Sequence, residues 1–274
     1  MNIFQSIILG LVQGITEFLP VSSSAHLVIV PYLFQWNIPT TQAFVFDVLV
    51  QVASLFGVFA FFWRDILAIV RSMFAGIMSK QPFAEQDARL GWFLILASIP
   101  AGLAGLFLKD MVEQAFNNPS ITAFFLLITA SLLVLAEKVG KRNRSIEGMS
   151  WKDSVIIGIF QAIAIFPGIS RSGATITGGM IRDFERPPAA RFAFLMSIPI
   201  MLAAGFLGGI DLLEIPDLSS LLPVFIPGFI TSAVVSYFAI GWLLRFLNRY
   251  PLYVFAIYCV GLSLLTFITI NLRG

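Results

Sequence analysis

The stretch that decides the fold reads QGITEFLPVSSSAH at residues 13–26. It lies inside an otherwise apolar segment, residues 2–35, and interrupts that segment with a glutamate, a proline and three consecutive serines. Such an interruption predicts two short helices joined by a loop rather than one helix that crosses a membrane. Non-helical backbone at membrane depth is tolerated where protein or a water-filled cavity satisfies it. The segment is therefore predicted to be a re-entrant hairpin beside a polar cavity.

A second apolar segment, residues 153–185, is broken in the same manner by the sequence PGISRSGAT at residues 167–175. It is predicted to be a second re-entrant hairpin. Six other stretches are long and apolar enough to cross a membrane: residues 42–63, 91–108, 120–136, 189–209, 222–244 and 252–270. The composition agrees, because 58% of the residues are hydrophobic and 12% are charged, whereas about a quarter are charged in soluble domains. An all-α, polytopic membrane protein with a single domain over residues 1–274 is expected.

A weak internal repeat relates the two broken segments. Five pairs of identical residues are separated by 148 positions: Gly10 and Gly158, Gln13 and Gln161, Ile15 and Ile163, Phe18 and Phe166, Ser22 and Ser170. The two halves, about 1–136 and 153–270, would each hold one hairpin and three crossings. An odd number of crossings inverts the second half relative to the first, as in many transporters. A transporter therefore remains an alternative at this point.

Basic residues predict the orientation in the membrane. Residues 64–90, 137–152, 182–191 and 245–250 hold 14 of the 17 lysines and arginines. Short loops that are rich in lysine and arginine favour the cytoplasmic side. The opposite loops carry one lysine, Lys109, and five acidic residues: Asp110, Glu113, Asp211, Glu214 and Asp217. The first hairpin is therefore predicted to enter from the periplasm and the second from the cytoplasm.

Several classes of protein are disfavoured by simple counts. Cys259 is the sole cysteine, which excludes an intrachain disulfide and a cysteine metal cluster. A net charge of +2 gives no reason to expect a nucleic-acid partner. The first charged residue is Glu17, so no basic segment of a signal peptide precedes the N-terminal apolar run. We expect that run to belong to the fold.

The first loop carries a carboxylate, hydroxyls and an imidazole. Gln13 and Glu17 lie four residues apart and so share one helix face. A carboxylate in an apolar half-helix is costly, so Glu17 is predicted either to act in the site or to pair with a cation across the bundle. Serines 22–24 offer hydroxyls at the start of a half-helix, whose positive end attracts anions. His26, the only histidine, lies within one turn of Ser23 and could move a proton there.

The second loop carries an arginine among small and hydroxylated residues. Arg171 lies at the break of the hairpin, and a guanidinium at that depth needs an anion. The candidates are Glu17 and a substrate phosphate, which suits a planar bidentate donor. Gly168 permits close approach of the backbone, and the neighbouring hydroxyls add donors. Taken together, the two loops suit phosphoryl transfer, in which a serine or water attacks and the arginine stabilises the phosphate oxygens.

The two loops resemble the signatures of the undecaprenyl-diphosphate phosphatase family associated with bacitracin resistance. Matching positions in the first signature are Gln13, Glu17, Phe18 to Ser23 and His26, and those in the second are Pro167, Gly168, Ser170, Arg171, Ser172 and Thr175. The resemblance covers essentially the whole chain. It implies an inverted repeat in the bacterial inner (cytoplasmic) membrane, with the active site open to the periplasm. It also implies hydrolysis of undecaprenyl diphosphate to the monophosphate carrier for cell-wall synthesis, and the density of hydroxyls favours this enzyme over a lipid or solute transporter or flippase.

The resemblance also implies roles for individual residues. Ser23 is expected to be the nucleophile, His26 the general base or acid, Arg171 the phosphate clamp and Glu17 the metal or proton anchor. Direct attack by His26 is the alternative mechanism. The remaining substrate-binding positions follow from the same two signatures: Gln13, Ser22, Ser24, Gly168, Ser170, Ser172 and Thr175.

The cofactor and the partners are less closely defined. Many family members have Glu where this chain has Gln13, and one carboxylate with one amide holds a divalent cation less firmly than two carboxylates. An Mg²⁺ or Ca²⁺ ion that bridges Glu17 and the diphosphate is compatible with this set. The expected partners are a polyprenyl diphosphate and membrane lipid, and a homodimer is compatible with the sequence. Asp47 and Gln51 could support the site from the first full crossing. Charged residues 182–186 are predicted to form a solvated salt-bridge face.

Overall fold

The structure, a computed structural model, describes residues 1–108, 111–112, 115, 118–213 and 218–273. Within them the chain forms ten α-helices: α1 Ile3–Thr16, α2 Ser23–Leu33, α3 Thr40–Met78, α4 Gln86–Phe107, α5 Pro119–Val139, α6 Trp151–Ile163, α7 Arg171–Ile181, α8 Arg186–Leu213, α9 Leu218–Leu247 and α10 Tyr253–Arg273. Six of these are long and apolar enough to cross a membrane: α3, α4, α5, α8, α9 and α10. The predicted all-α, multi-pass membrane fold is confirmed.

The charged side chains of the two predicted periplasmic loops lie outside the part of the chain that the structure describes. Those outside the described residues are Lys109, Asp110, Glu113, Glu214, Asp217 and the side chain of Asp211.

Helix α3 is longer than the sequence predicted. The predicted crossing ends at residue 63, where charged residues begin, but the helix has 39 residues and continues to Met78. At 1.5 Å per residue this is about 58 Å, nearly twice the thickness of the hydrocarbon core. Charges end a membrane crossing without ending a helix, and here only the backbone of Phe62 departs from helical geometry, with φ −102° and ψ 19°.

The two broken segments form the predicted pairs of short helices. Helices α1 and α2 have 14 and 11 residues, and α6 and α7 have 13 and 11. Each helix spans about 16–21 Å, which is too short to cross the hydrocarbon core alone. The re-entrant course of each pair and the inverted repeat stay predictions.

Two glycines, Gly10 and Gly158, allow the short helices α1 and α6 to pack closely against two long helices. A Cβ atom on Gly10 of α1 would lie 2.2 Å from the carbonyl oxygen of Gly228 in α9. One on Gly158 of α6 would lie 2.5 Å from the carbonyl oxygen of Ala97 in α4. Only glycine permits such close approach of two backbones. Helix α1 therefore packs closely against α9, and α6 packs closely against α4.

Buried ion pairs hold the ends of α5, α6 and α7 together. The fully buried Asp153 accepts hydrogen bonds from Arg144 at 2.9 Å and Arg182 at 2.7 Å. Glu137 similarly pairs with Arg142 and Arg186. The prediction of a solvated salt-bridge face at residues 182–186 was therefore wrong, because Arg182 and Arg186 form ion pairs with the buried carboxylates Asp153 and Glu137.

Asp153→Asn is expected to lower the free energy of unfolding by roughly 2–3 kcal/mol at neutral pH, because two arginines lose a charged acceptor. Burial alone would raise the pKa of Asp153, but hydrogen bonds from Arg144, Ser150 and Arg182 lower it below its ordinary value. A carboxyl with a depressed folded-state pKa stabilises the fold above its unfolded pKa, about 4, and loses that contribution as pH falls further. Thermal unfolding in detergent should show a difference between the two proteins that shrinks below pH 4. A difference that is constant with pH would contradict this assignment.

Candidate active site

A cavity of about 130 Å³ lies where the α1–α2 loop meets the α6–α7 loop. Its volume is enough for several water molecules. Six predicted site residues are among those that line it; the full lining is Glu17, Ser22, Ser23, Ser24, Gln51, Ala164, Ile165, Ile169, Ser170 and Arg171. All of these except Gln51 come from the two broken segments. The interruptions in the sequence thus converge on one polar site.

Glu17 links the two loops at this cavity. One of its carboxylate oxygens, Oε2, accepts hydrogen bonds from Gln13 Nε2 at 2.9 Å and from Ser23 Oγ at 2.5 Å. The other, Oε1, accepts from Arg171 Nη2 across the gap between the two loops. Two anions were predicted as partners of Arg171, and the structure shows one of them, Glu17, in contact with its Nη2. The other N–H donors of the guanidinium remain for a ligand.

Ser22 adopts a strained backbone conformation at the start of α2. Its φ is +67° and its ψ is 96°, in a region that non-glycine residues rarely adopt. The Ser22 hydroxyl accepts hydrogen bonds from the backbone N–H groups of Ala25 at 3.3 Å and Gly168 at 3.2 Å. Bonds from both loops therefore hold this conformation, which directs the following residue, Ser23, to Glu17.

The N-terminus of α7 borders the opposite side of the cavity. Ser170 caps this helix, since its hydroxyl accepts a hydrogen bond from the Gly173 N–H at 3.0 Å. The Ser170 N–H donates in turn to the hydroxyl of Thr129 at 2.9 Å. The positive end of a helix dipole and a guanidinium thus lie at one wall, an arrangement suited to bind an anion.

Four predicted site residues support the loops instead of lining the cavity. Gln13 is fully buried and donates to Glu17. The Gly168 N–H donates to Ser22, and the Ser172 hydroxyl donates to the Leu19 carbonyl at 2.9 Å, so both join the two loops. The Thr175 hydroxyl donates to the Arg171 carbonyl within α7. A substrate-binding role for these four stays a prediction.

His26 is directed away from the cavity lining. Its Nδ1 lies 2.7 Å from the carbonyl oxygen of Ser22, and its Nε2 lies 2.7 Å from the hydroxyl of Tyr258 on α10. A carbonyl oxygen can only accept, so Nδ1 carries the proton, and Nε2 of the neutral ring accepts from Tyr258. Both ring nitrogens are occupied, and the predicted proton transfer by His26 stays a prediction.

Sequence reasoning missed several contributors to the site. Tyr258 and Thr129 lie on long apolar helices, where a single hydroxyl gives no distinctive signal. Met201 of α8, whose sulfur lies 3.1 Å from Arg171 Nη2, reads as ordinary core.

Gln51 lines the cavity directly, whereas Asp47, predicted beside it, is absent from the lining. The signal for Gln51 was its polar side chain in the middle of an apolar crossing.

The donor set is compatible with a divalent cation only together with the substrate. The described part of the chain contains no group of three histidine, cysteine or acidic side chains that could hold a metal ion. Glu17 is the one carboxylate among the residues that line the cavity. Mg²⁺ is commonly bound by one or two carboxylates with phosphate oxygens of the substrate, and a site of that kind fits these residues.

Comparisons with known proteins identify the family. The model of a family described as bacitracin resistance protein BacA matches residues 6–265. The chain belongs to the BacA family. This confirms the resemblance seen in the two loops, and the match covers five of the long helices of the described structure and ends at residue 265, inside α10.

Curated relatives within this family align over nearly the whole chain. A protein of Thermomicrobium roseum is 40% identical over 278 residues, which cover 99% of each chain. A protein of Moorella thermoacetica is 42% identical over 265 residues, 97% of each chain, and one of Desulforudis audaxviator is 41% identical over 275 residues, 100% of each chain. All three are named undecaprenyl-diphosphatase. These names give no support to the transporter alternative.

Proposed function

We propose that this protein hydrolyses undecaprenyl diphosphate to undecaprenyl phosphate and inorganic phosphate, and so recycles the lipid carrier for cell-wall synthesis. The observation that carries the proposal is the contact of Ser23 with Glu17 beside Arg171, in a cavity at the junction of the two broken segments. A nucleophile, a base and a phosphate-binding cation are thereby in one place. The names of the BacA relatives supply the substrate.

In this mechanism the diphosphate binds between Arg171 and the N-terminus of α7. The guanidinium donors that Glu17 does not use contact oxygens of the terminal phosphate, and the helix dipole adds to their attraction. Gln51 contributes a carboxamide from the wall formed by α3. The prenyl chain extends into the lipid, where the apolar outer faces of the long helices lie.

Ser23 Oγ then attacks the terminal phosphorus while Glu17 Oε2 accepts its proton. The bond from phosphorus to the bridging oxygen breaks, undecaprenyl phosphate leaves, and a phosphoserine remains. Water then attacks the phosphorus of this phosphoserine, the bond from phosphorus to Ser23 Oγ breaks, and Glu17 returns its proton to Oγ. Inorganic phosphate leaves with the oxygen and protons of the water. Arg171 stabilises the charge on the equatorial oxygens in both steps.

A divalent cation, Mg²⁺ or Ca²⁺, is part of the same proposal. Glu17 would hold it together with the diphosphate, and it would neutralise part of the negative charge on the phosphates. Gln13 donates an N–H to Glu17 and so keeps this carboxylate in place, but it adds no charge to the site.

Gln13→Glu is expected to lower the Mg²⁺ concentration for half-maximal activity by roughly tenfold, because a second carboxylate strengthens a divalent site. Two adjacent carboxylates also need a shared proton or cation, which makes activity more dependent on the metal. Phosphate release measured after chelation, as Mg²⁺ is restored, gives this concentration. Gln5→Glu at the start of α1 is the control and should leave it unchanged. An unchanged metal requirement in Gln13→Glu would contradict the proposed site.

The proposed location is the bacterial inner membrane, with the cavity open to the periplasmic side. Basic residues of the described loops support this orientation. Gln51 is the twelfth residue of α3, so the cavity lies about 16 Å along that helix from its first residue, Thr40. A homodimer is compatible with this location.

Purified protein in detergent, incubated with undecaprenyl diphosphate, tests this function. We expect one inorganic phosphate for each undecaprenyl phosphate formed, with both products quantified in the same samples. Undecaprenol monitored by mass spectrometry should not accumulate. No phosphate release with or without Mg²⁺ or Ca²⁺, or release of intact diphosphate, would overturn the proposal.

A further inference from the structure

We propose that Tyr258 is a positioning residue for this reaction, acting through His26 on the backbone of Ser22. The expected effect on the reaction rate rests on the proposed function, whereas the expected hydrogen bonds and tautomer of His26 do not. Tyr258 lies on α10, far along the chain from both signature loops, and its hydroxyl contacts His26.

The connection runs through two short hydrogen bonds. The Tyr258 hydroxyl and His26 Nε2 are 2.7 Å apart, and His26 Nδ1 and the Ser22 carbonyl oxygen are also 2.7 Å apart. The two rings lie nearly parallel, with an angle of 5° between their planes and 5.6 Å between their centroids. His26 is 4% exposed, so its ring is confined between the tyrosine and the loop.

These bonds determine which nitrogen of His26 carries the proton. A hydrogen bond donated by Tyr258 to Nε2 leaves Nδ1 as the protonated nitrogen, as the Ser22 carbonyl requires. The opposite tautomer would place a lone pair of Nδ1 against that carbonyl. The Ser22 carbonyl thus sets the tautomer, and the tyrosine hydroxyl holds the other side of the ring so that Nδ1–H stays on that carbonyl.

Ser22 is the residue on which this restraint acts. Its carbonyl oxygen receives both Nδ1–H and, at 3.3 Å, the backbone N–H of His26. With φ at +67°, Ser22 needs such restraints to remain in a costly conformation. The next residue, Ser23, contacts Glu17 only if this turn is kept, so Tyr258 contributes to the alignment of the nucleophile.

The sole histidine makes the proposal directly measurable. Protein labelled with ¹⁵N in its histidine side chain gives signals from His26 alone, and their chemical shifts distinguish the two tautomers. We expect the wild type to have Nδ1 protonated and Nε2 unprotonated. Tyr258→Phe retains the ring but removes the hydroxyl, and it should yield a mixture of tautomers or a protonated ring.

The kinetic counterpart is a fall in kcat of roughly fivefold in Tyr258→Phe, the value of one net hydrogen bond, with KM changed less than twofold. Tyr253→Phe, on the same helix, is the control and should change neither the tautomer nor kcat. Elution and thermal unfolding of both variants should match the wild type. A wild-type His26 protonated at Nε2, or an unchanged tautomer in Tyr258→Phe, would overturn the inference, whatever the activity of the protein. A changed tautomer without a fall in kcat would overturn the positioning role.

Discussion

Replacing Ser23 by alanine is expected to reduce kcat for undecaprenyl diphosphate by about 10³-fold or more, because the variant lacks the attacking oxygen. The Ser23 hydroxyl is distinguished from its neighbours by its 2.5 Å hydrogen bond to Glu17. KM should change little, since the phosphate-binding groups of Arg171 and α7 remain. Initial rates of phosphate release by equal amounts of the two proteins measure the effect.

Ser24→Ala is the matched control for this substitution. Ser24 lines the same cavity, but its hydroxyl contacts Ser22 instead of a base. We expect less than a tenfold loss of kcat in this variant. Equal losses in both variants, or residual activity in Ser23→Ala within tenfold of the wild type, would exclude Ser23 as the nucleophile.

Arg171→Ala is expected to lower kcat/KM by about 10³-fold, the lower end of the range for an arginine that stabilises phosphoryl transfer. Two effects combine in this loss. The terminal phosphate loses its guanidinium donors, and Glu17 loses the cation that opposes its charge. Phosphate release over a range of substrate concentrations separates the effects on kcat and KM.

Arg171→Lys separates charge from geometry at this position. A lysine retains the positive charge beside Glu17 but not the planar bidentate donors. Arg171→Lys should therefore keep the thermal stability of the wild type more fully than its activity. Arg191→Ala removes a half-buried arginine that pairs with Asp65 and is the control; we expect nearly full activity. Activity in Arg171→Ala close to that of Arg191→Ala would contradict the role of Arg171 as phosphate clamp.

The sequence predicted the parts of the fold that local patterns determine. The six long helices follow from apolar runs of sufficient length, and the paired short helices follow from prolines, glycines and hydroxylated residues inside such runs. The pairing of Glu17 with Arg171 was also foreseeable, because each is a costly charge at depth and each needs a partner. The extent of α3 was not, since charges mark the edge of a membrane but not the end of a helix.

The orientation of side chains within the site depends on distant parts of the chain. His26 and Ser23 lie within one helical turn, which suggested that they act together, yet His26 bonds to Tyr258, 232 residues away. Similarly, the arginines at 182 and 186 reach Asp153 and Glu137 instead of the acidic residues beside them. Such choices are made by helix packing, which residue spacing alone does not encode.

The stereochemical course at the transferred phosphorus tests the central claim, attack by Ser23 in the cavity between the two loops, most directly. Undecaprenyl diphosphate made chiral at its terminal phosphorus with sulfur and oxygen isotopes, and hydrolysed in labelled water, yields a product whose configuration can be read. Two successive in-line displacements, first by Ser23 and then by water, predict net retention of configuration. Net inversion would mean that water attacks the substrate directly, and it would contradict the account.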